Sequence, residues 1–169
     1  MSTQLPYTIL KTKDPGQISS CARMMAATDP WIRYGMDYSL CLKSFEGDFR
    51  EIYVLETGQK IAGFVILQMA GTFRGYIQTL CVDADYRGQG LGMKLLEFCE
   101  ERILKISPNL FICVSEFNTG AIKLYESFGF ELVGRLHDFI QPGLTELMMR
   151  KTFAPIVGYA IQEEHLFKP

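Results

Sequence analysis

The residues with the clearest chemical potential sit in one run, Asp85-Tyr86-Arg87-Gly88-Gln89-Gly90-Leu91-Gly92-Met93-Lys94. Glycines at alternate positions let backbone N–H groups approach a ligand with no Cβ in the way. An amphipathic helix follows directly. Its unpaired first-turn N–H groups and the positive end of its dipole suit a phosphate or pyrophosphate. Two common phosphate loops are excluded: there is no Gly-Lys-Ser/Thr, and Met93 and Leu95 stand where GxGxxG needs its third glycine. Taken alone, the run equally suits a tight strand-to-helix turn that binds nothing. A second run, Asn118-Thr119-Gly120-Ala121-Ile122-Lys123-Leu124-Tyr125-Glu126-Ser127-Phe128-Gly129-Phe130, predicts a short core-packed helix stopped by Gly129. By themselves, Asn118 there is a helix cap and Tyr125 a packed aromatic with a satisfied hydroxyl.

The elements that must position these runs follow from periodicity and turn chemistry. Tyr7 to Leu10 reads as a short strand. Asp14-Pro15-Gly16-Gln17 is a helix start, and Ile18, Cys21, Ala22, Met25 and Ala26 then recur on one helical face. A second helix is expected from Asp37 to Glu46. Ile52 to Leu55 and Ile61 to Met69 are rich in β-formers and joined by Glu56-Thr57-Gly58-Gln59, a hairpin pattern. Gly75 to Val82 is the next strand. Leu91 to about Ile106 is helical, with Leu91, Leu95, Phe98, Arg102 and Ile103 on one side and Lys94, Glu97, Glu101 and Lys105 on the other. Leu110 to Val114 is a continuous apolar run, expected to be buried on both faces. Thr119 to Phe128 is a helix, and Phe130 to Leu136 and Leu144 to Arg150 are the last strands. The order β-α-α-β-β-β-α-β-α-β-β predicts a mixed α/β sheet, with a tail from about Pro155.

Composition bounds the partners. The chain has 169 residues, 17 Lys+Arg against 19 Asp+Glu, a net charge of -2, 48% hydrophobic and 21% charged residues. That fits one globular domain and gives no electrostatic footprint for nucleic acid or an anionic membrane. Five cysteines (Cys21, Cys41, Cys81, Cys99, Cys113) without CxxC spacing read as buried free thiols in a reducing, cytoplasmic setting. His137 and His165 lie far from any cysteine pair, so no metal site is expected. The first ten residues lack the pattern of a signal peptide, and no apolar stretch approaches a membrane span.

Together the two runs resemble the motifs of the GCN5-related N-acetyltransferase superfamily. Arg87-x-x-Gly90-x-Gly92, between Val82 and Leu95-Leu96, is similar to its acetyl-CoA-binding motif. Asn118-x-x-Ala121-Ile122-x-Leu124-Tyr125-x-x-x-Gly129-Phe130 is similar to its later motif. The resemblance covers residues 7–152 as an N-acetyltransferase domain and leaves 153–169 as a C-terminal tail. It implies the acyl-CoA N-acyltransferase fold, a largely antiparallel central sheet flanked by helices. It implies acetyl-CoA as cosubstrate, with no metal, and transfer of acetyl to a primary amine by direct attack. Leu80, Cys81 and Val82 then present backbone groups to the pantetheine arm. Arg87, Gly88, Gln89, Gly90, Leu91, Gly92 and Met93 cradle the pyrophosphate, and Asn118 bonds near the pantetheine. Tyr125 stands beside the sulfur as general acid.

The base stays open. Many N-terminal acetyltransferases carry Glu or His five residues before the motif Asn, where this chain has Cys113. Tyr76-Ile77-Gln78-Thr79-Leu80 resembles their Tyr-containing strand, which makes Tyr76 a candidate for helping water take the amine proton. Glu116, His137 or no base at all are the alternatives, and no His or Asp stands near a Cys at the spacing a covalent route needs. The acceptor site is expected from Asp29-Pro30-Trp31, Tyr34, Tyr38, His137-Asp138-Phe139 and Glu146; loop packing or a homodimer contact is the alternative use of these residues. Ribosomal-protein and other N-terminal acetyltransferases are the members most alike. A CoA-binding or sensing module with the same fold and no turnover is the competing function.

Overall fold

The structure is a computed structural model that describes residues 6–162. Its seven strands form one sheet in the order β1-β2-β3-β4-β5-β7-β6. They are β1 (Thr8–Lys11), β2 (Arg50–Thr57), β3 (Lys60–Gln68), β4 (Tyr76–Val82), β5 (Asn109–Ser115), β6 (Glu131–His137) and β7 (Thr145–Thr152). The helices are α1 (Pro15–Ala26), α2 (Tyr38–Lys43), α3 (Leu91–Ile103) and α4 (Thr119–Phe128). The β1/β2, β5/β7 and β6/β7 ladders are antiparallel, while β4 pairs with β5 in parallel through Tyr76↔Phe111 and Ile77↔Ile112. The sheet is the mixed, largely antiparallel one expected. Its contacts divide the chain into two compact units: the chain up to Ile66 with Thr79–Leu95, and Leu67–Gln78 with the residues from Leu96 on.

In the first unit, α1 starts where its sequence dictates: the Asp14 carboxylate accepts from the Gln17 N–H at 2.8 Å and Pro15 opens the helix. Its buried stripe, Cys21, Ala22 and Met25, packs with Cys41 and Phe45 on Ile52, Val54, Phe64, Ile66 and Cys81. These strand residues share one face, and Gly63 lies on the other. A Cβ at Gly63 would stand 2.8 Å from the Cys81 carbonyl oxygen and 3.2 Å from Leu95 Cδ1. The first turns of α3 therefore lie close against the sheet because this strand residue has no side chain. The second helix is shorter than expected, since Ser44, Phe45 and Glu46 donate to residues three back and tighten its end.

In the second unit, alternation sorts the strands into two faces. Ile77, Leu110, Ile112, Val114, Leu147 and Met149 form one buried face. On it Lys151 pairs with Glu100 of α3 at 2.5 Å and lies over the Phe128 ring of α4 at 4.0 Å. α3 ends at Ile103, short of Ile106: the Ile106 and Ser107 N–H groups both donate to the Ile103 carbonyl, and Pro108 disfavours helix at the residue before it. Its buried side also includes Leu96 and Cys99, while Phe98 is half-buried. The opposite sheet face carries Tyr76, Phe111 and Cys113, all half-buried. β5 is thus fully covered on one face only, contrary to what its apolar run suggests.

Candidate active site

In the first unit, β4 passes into a short 3-10 turn, Ala84–Tyr86, capped by the Asp83 carboxylate accepting from the Asp85 N–H at 2.9 Å. The Arg87 N–H closes that turn on the Ala84 carbonyl, and Arg87 Nε donates to the Val82 carbonyl at 3.1 Å. Arg87 thus braces the end of β4. Gly88 and Gly90 adopt φ of 72° and 80°, a region L side chains rarely enter, and a Cβ on either would meet nothing within 4 Å. The turn is bare, exposed main chain. The first bond of α3 runs from the Lys94 N–H to the Gly90 carbonyl, so the Leu91, Gly92 and Met93 N–H groups precede the helix's own ladder. Bare N–H groups at the positive end of a helix of 13 residues are a fitting cradle for a pyrophosphate. Gln89 reaches back to the Asp85 carbonyl at 3.2 Å.

Leu80, Cys81 and Val82 form the end of β4 just before this turn. Cys81 is buried against α1, and burial pushes its thiol up to about 12, despite the nearby Arg87 charge and a hydrogen bond with Thr28, which both act the other way. Cys21 is likewise pushed up to about 12 by burial. Burial thus disfavours the thiolate, the form that attacks, at both positions. Of the acceptor-site residues expected in this unit, Trp31 and Tyr38 pack on the hydrophobic core and the Tyr38 hydroxyl pairs with Ser19 at 3.0 Å. Tyr34 is buried as well.

In the second unit, α4 is the expected helix to the residue. Asn118 caps it, its side-chain oxygen accepting from the Ala121 N–H at 3.2 Å, and Gly129 ends it in the left-handed conformation. Tyr125 is 6% exposed, with its ring 6.0 Å from that of Phe130. Tyr76, on β4, hydrogen-bonds the Cys113 sulfur. Burial raises the Cys113 thiol above its ordinary value, the Tyr76 bond opposes this, and the Glu146 charge adds to it. Glu146 itself is buried on β7, accepting from the Ser115 hydroxyl at 2.7 Å.

The other candidates separate. Glu116 is exposed and ion-paired with Arg135, and His137 Nδ1 pairs with the Thr145 hydroxyl at 3.0 Å. Asp138 turns the β6–β7 connection, accepting from the Gly143 N–H at 2.6 Å, and Phe139 is exposed. The structure brings Tyr76, Cys113, Ser115 and Glu146 together and leaves Glu116 and His137 engaged elsewhere. Sequence reasoning did not single out Ser115, whose buried hydroxyl ends the apolar run of β5. Among the described residues no group of three or more His, Cys, Asp or Glu is placed to hold a metal, and no helix is long and apolar enough to cross a membrane.

The chain is a mixed α/β protein whose central strand feeds a bare glycine turn at a helix start. Residues 19–130 match the Acetyltransferase (GNAT) family, and the chain belongs to it. It is 35% identical over 81 residues to the N-acetylaspartate synthetase of Xenopus tropicalis, covering 46% of this chain and 29% of that protein. It is 36% identical over 92 residues to the [Ribosomal protein bS18]-alanine N-acetyltransferase of Escherichia coli (strain K12), covering 52% of this chain and 62% of that one. The chain thus spans less than two thirds of the length of these relatives. In fold it is similar to yncA of Salmonella typhimurium, solved with its cofactor acetyl-CoA: TM-score 0.70, 16% identity, 91% of this chain and 98% of that one.

Proposed function

We propose that the protein transfers an acetyl group from acetyl-CoA to a primary amine, by direct attack of the amine on the thioester carbonyl. The observation that carries this is the bare turn at Gly88 and Gly90 ahead of α3, in a chain of the acetyltransferase family. In this reading the N–H groups from Gly88 to Met93 hold the pyrophosphate, with Arg87 and Gln89 bracing the turn. The main chain of Leu80, Cys81 and Val82 takes the pantetheine arm, and Asn118, its oxygen spent on the cap, offers its amide N–H groups. Tyr125 donates a proton to the departing sulfur, a role worth about 10²-fold or more. Tyr76 helps remove the amine proton. Residues 7–152 are the catalytic domain, and a reducing cytoplasm suits five free thiols.

The acceptor class follows from likeness to the bS18-alanine N-acetyltransferase: a peptide or protein N-terminus, with a small amine as the alternative. A CoA-binding module without turnover is the second reading, favoured by Cys113 standing where many relatives carry a base. Thiol release from acetyl-CoA over a panel of free-N-terminal peptides, spermidine and lysine peptides separates the two. Release with at least one amine is the expected result. Tight CoA binding with no release above background across the panel would sink the enzyme reading.

A further inference from the structure

Within the second unit lies a cavity of about 630 Å³ whose residues have no part in the acetyl-transfer reading, and its size is that of a small-molecule site. Asn109 and Phe111 of β5 line it together with Arg150, which stands opposite Phe111 in the β5/β7 register. Its walls are pinned by main-chain bonds. The Phe111 N–H donates to the Gly75 carbonyl at 3.1 Å, and the Phe153 N–H to the Pro108 carbonyl at 3.0 Å. Gly75 has a φ of 88°, and a Cβ there would stand 2.5 Å from the Asn109 carbonyl oxygen. The connection that carries Phe73 and Arg74 therefore closes directly onto the start of β5. The buried Ser107 hydroxyl holds that start in place, accepting from the Asn109 N–H and donating to the Asn109 carbonyl, both at 3.1 Å.

The lining holds Arg74 and Arg150 and no Asp or Glu, in a chain whose net charge is -2. Arg150 is exposed, and no ion pair or hydrogen bond engages its side chain among the described residues, although Glu131 is its register partner on β6. Asn109 is 8% exposed and its bonds to Ser107 run through the main chain, so its carboxamide has no partner among the described residues. A buried amide in that position gains a hydrogen bond from any ligand oxygen that reaches it. Phe73 and Phe111 meet edge-on with ring centroids 5.2 Å apart, and Phe73 and Phe153 are each 52% exposed, which makes flat apolar walls. We infer that this cavity binds a small molecule carrying an oxyanion on a flat apolar ring, as a carboxylate or a phosphate monoester. The Arg150 guanidinium takes the oxyanion, since its fork of donors matches either group, the Asn109 carboxamide donates to it, and the ring packs on the phenylalanines. Two arginines repel an ammonium, so the amine acceptor is not the occupant.

The test is calorimetric titration of the full chain, without acetyl-CoA, using phenylacetate and phenyl phosphate against acetate, benzyl alcohol and benzylamine. Saturable binding of at least one ring-bearing anion is expected, and the tighter of the two tells carboxylate from phosphate. Acetate and benzyl alcohol, each lacking one half of the ligand, should bind at least about tenfold more weakly, and benzylamine not at all. Arg150→Gln should weaken the anion by about tenfold or more with CoA affinity unchanged, and Phe73→Ala should weaken it several-fold. Glu131→Gln, which removes the acid opposite Arg150, should tighten it by about twofold, a gain that fades in high salt. No saturable binding of either anion, equal binding of benzyl alcohol, or an affinity that neither Arg150→Gln nor Phe73→Ala changes overturns the inference. So does phenyl phosphate binding that is lost with Gly90→Val and kept in Arg150→Gln, since that places it at the glycine turn. If Arg150→Gln does not fold, Phe73→Ala decides.

Discussion

The segment from Val82 to Met93 and the strand cluster of Tyr76, Cys113, Ser115 and Glu146 are built in opposite ways. In the first, the turn proposed to hold the cofactor, main-chain N–H groups are left bare and side chains serve as braces: Arg87 on the Val82 carbonyl, Gln89 on the Asp85 carbonyl. In the second, the backbone is committed to sheet ladders and the polar contacts are made by side chains whose partners lie on other strands. The difference teaches where each region is vulnerable. The turn should resist changes of side-chain chemistry and fail when a Cβ is added, whereas the cluster should fail when single polar atoms are removed.

Tyr125→Phe carries the largest expected effect. It removes one oxygen from a buried side chain and should lower kcat by about 10²-fold or more, with acetyl-CoA affinity barely changed. An affinity collapse measured by calorimetry would instead give this tyrosine a structural role. Gly90→Val tests the turn from the other side. A left-handed φ costs an L side chain about 1–2 kcal/mol, and the added Cβ occupies the space offered to the pyrophosphate, so CoA affinity should fall by more than about tenfold. Unchanged binding in the folded variant contradicts the cradle.

Gly63→Ala probes what holds that turn in place. The new methyl would press on the Cys81 carbonyl and Leu95, an overpacking worth about 1–3 kcal/mol, and the melting temperature should drop by several degrees. Asn118→Ala should cost about 1 kcal/mol through the lost cap. The smallest effect concerns Cys113. Its raised pKa means fewer thiolates at a given pH, so iodoacetamide should label it more slowly than a free cysteine at neutral pH, the gap closing only in more alkaline solution. Burial is the main cause of the raised thiol, and Glu146→Gln removes the charge that adds to it, so labelling should speed slightly; equal rates before and after would separate the two residues.

The two regions also differ in how much of them the sequence discloses. The turn, the α1 cap at Asp14 and the stop of α4 at Gly129 are local: each is written in residues a few positions apart, and each was read correctly. The 3-10 turn at Ala84–Tyr86 was not, because three residues carry no periodicity. Of Leu91, Leu95, Phe98, Arg102 and Ile103, the side of α3 that spacing groups together, the fold buries all but the half-buried Phe98 and adds Leu96 and Cys99, a rotation set by packing that spacing alone does not fix. Gly63 looked like an ordinary strand residue until α3 lay against it. Ser115 and Glu146 are 31 residues apart and meet only through the β5/β7 register, a long-range pairing that no local pattern encodes. The apolar run of β5 hid its half-open face for the same reason: exposure there depends on what other elements leave uncovered.

A quenched single turnover tests the central claim most directly. The protein, loaded with acetyl-CoA labelled in the acetyl group, is mixed with an amine that supports thiol release, and the label is followed by intact mass and peptide mapping. Direct transfer predicts that the label moves from CoA to the amine at the rate thiol appears, with the protein unlabelled at every time. Label accumulating on Cys113 or another side chain before it reaches the amine, or label that never leaves CoA, would contradict it.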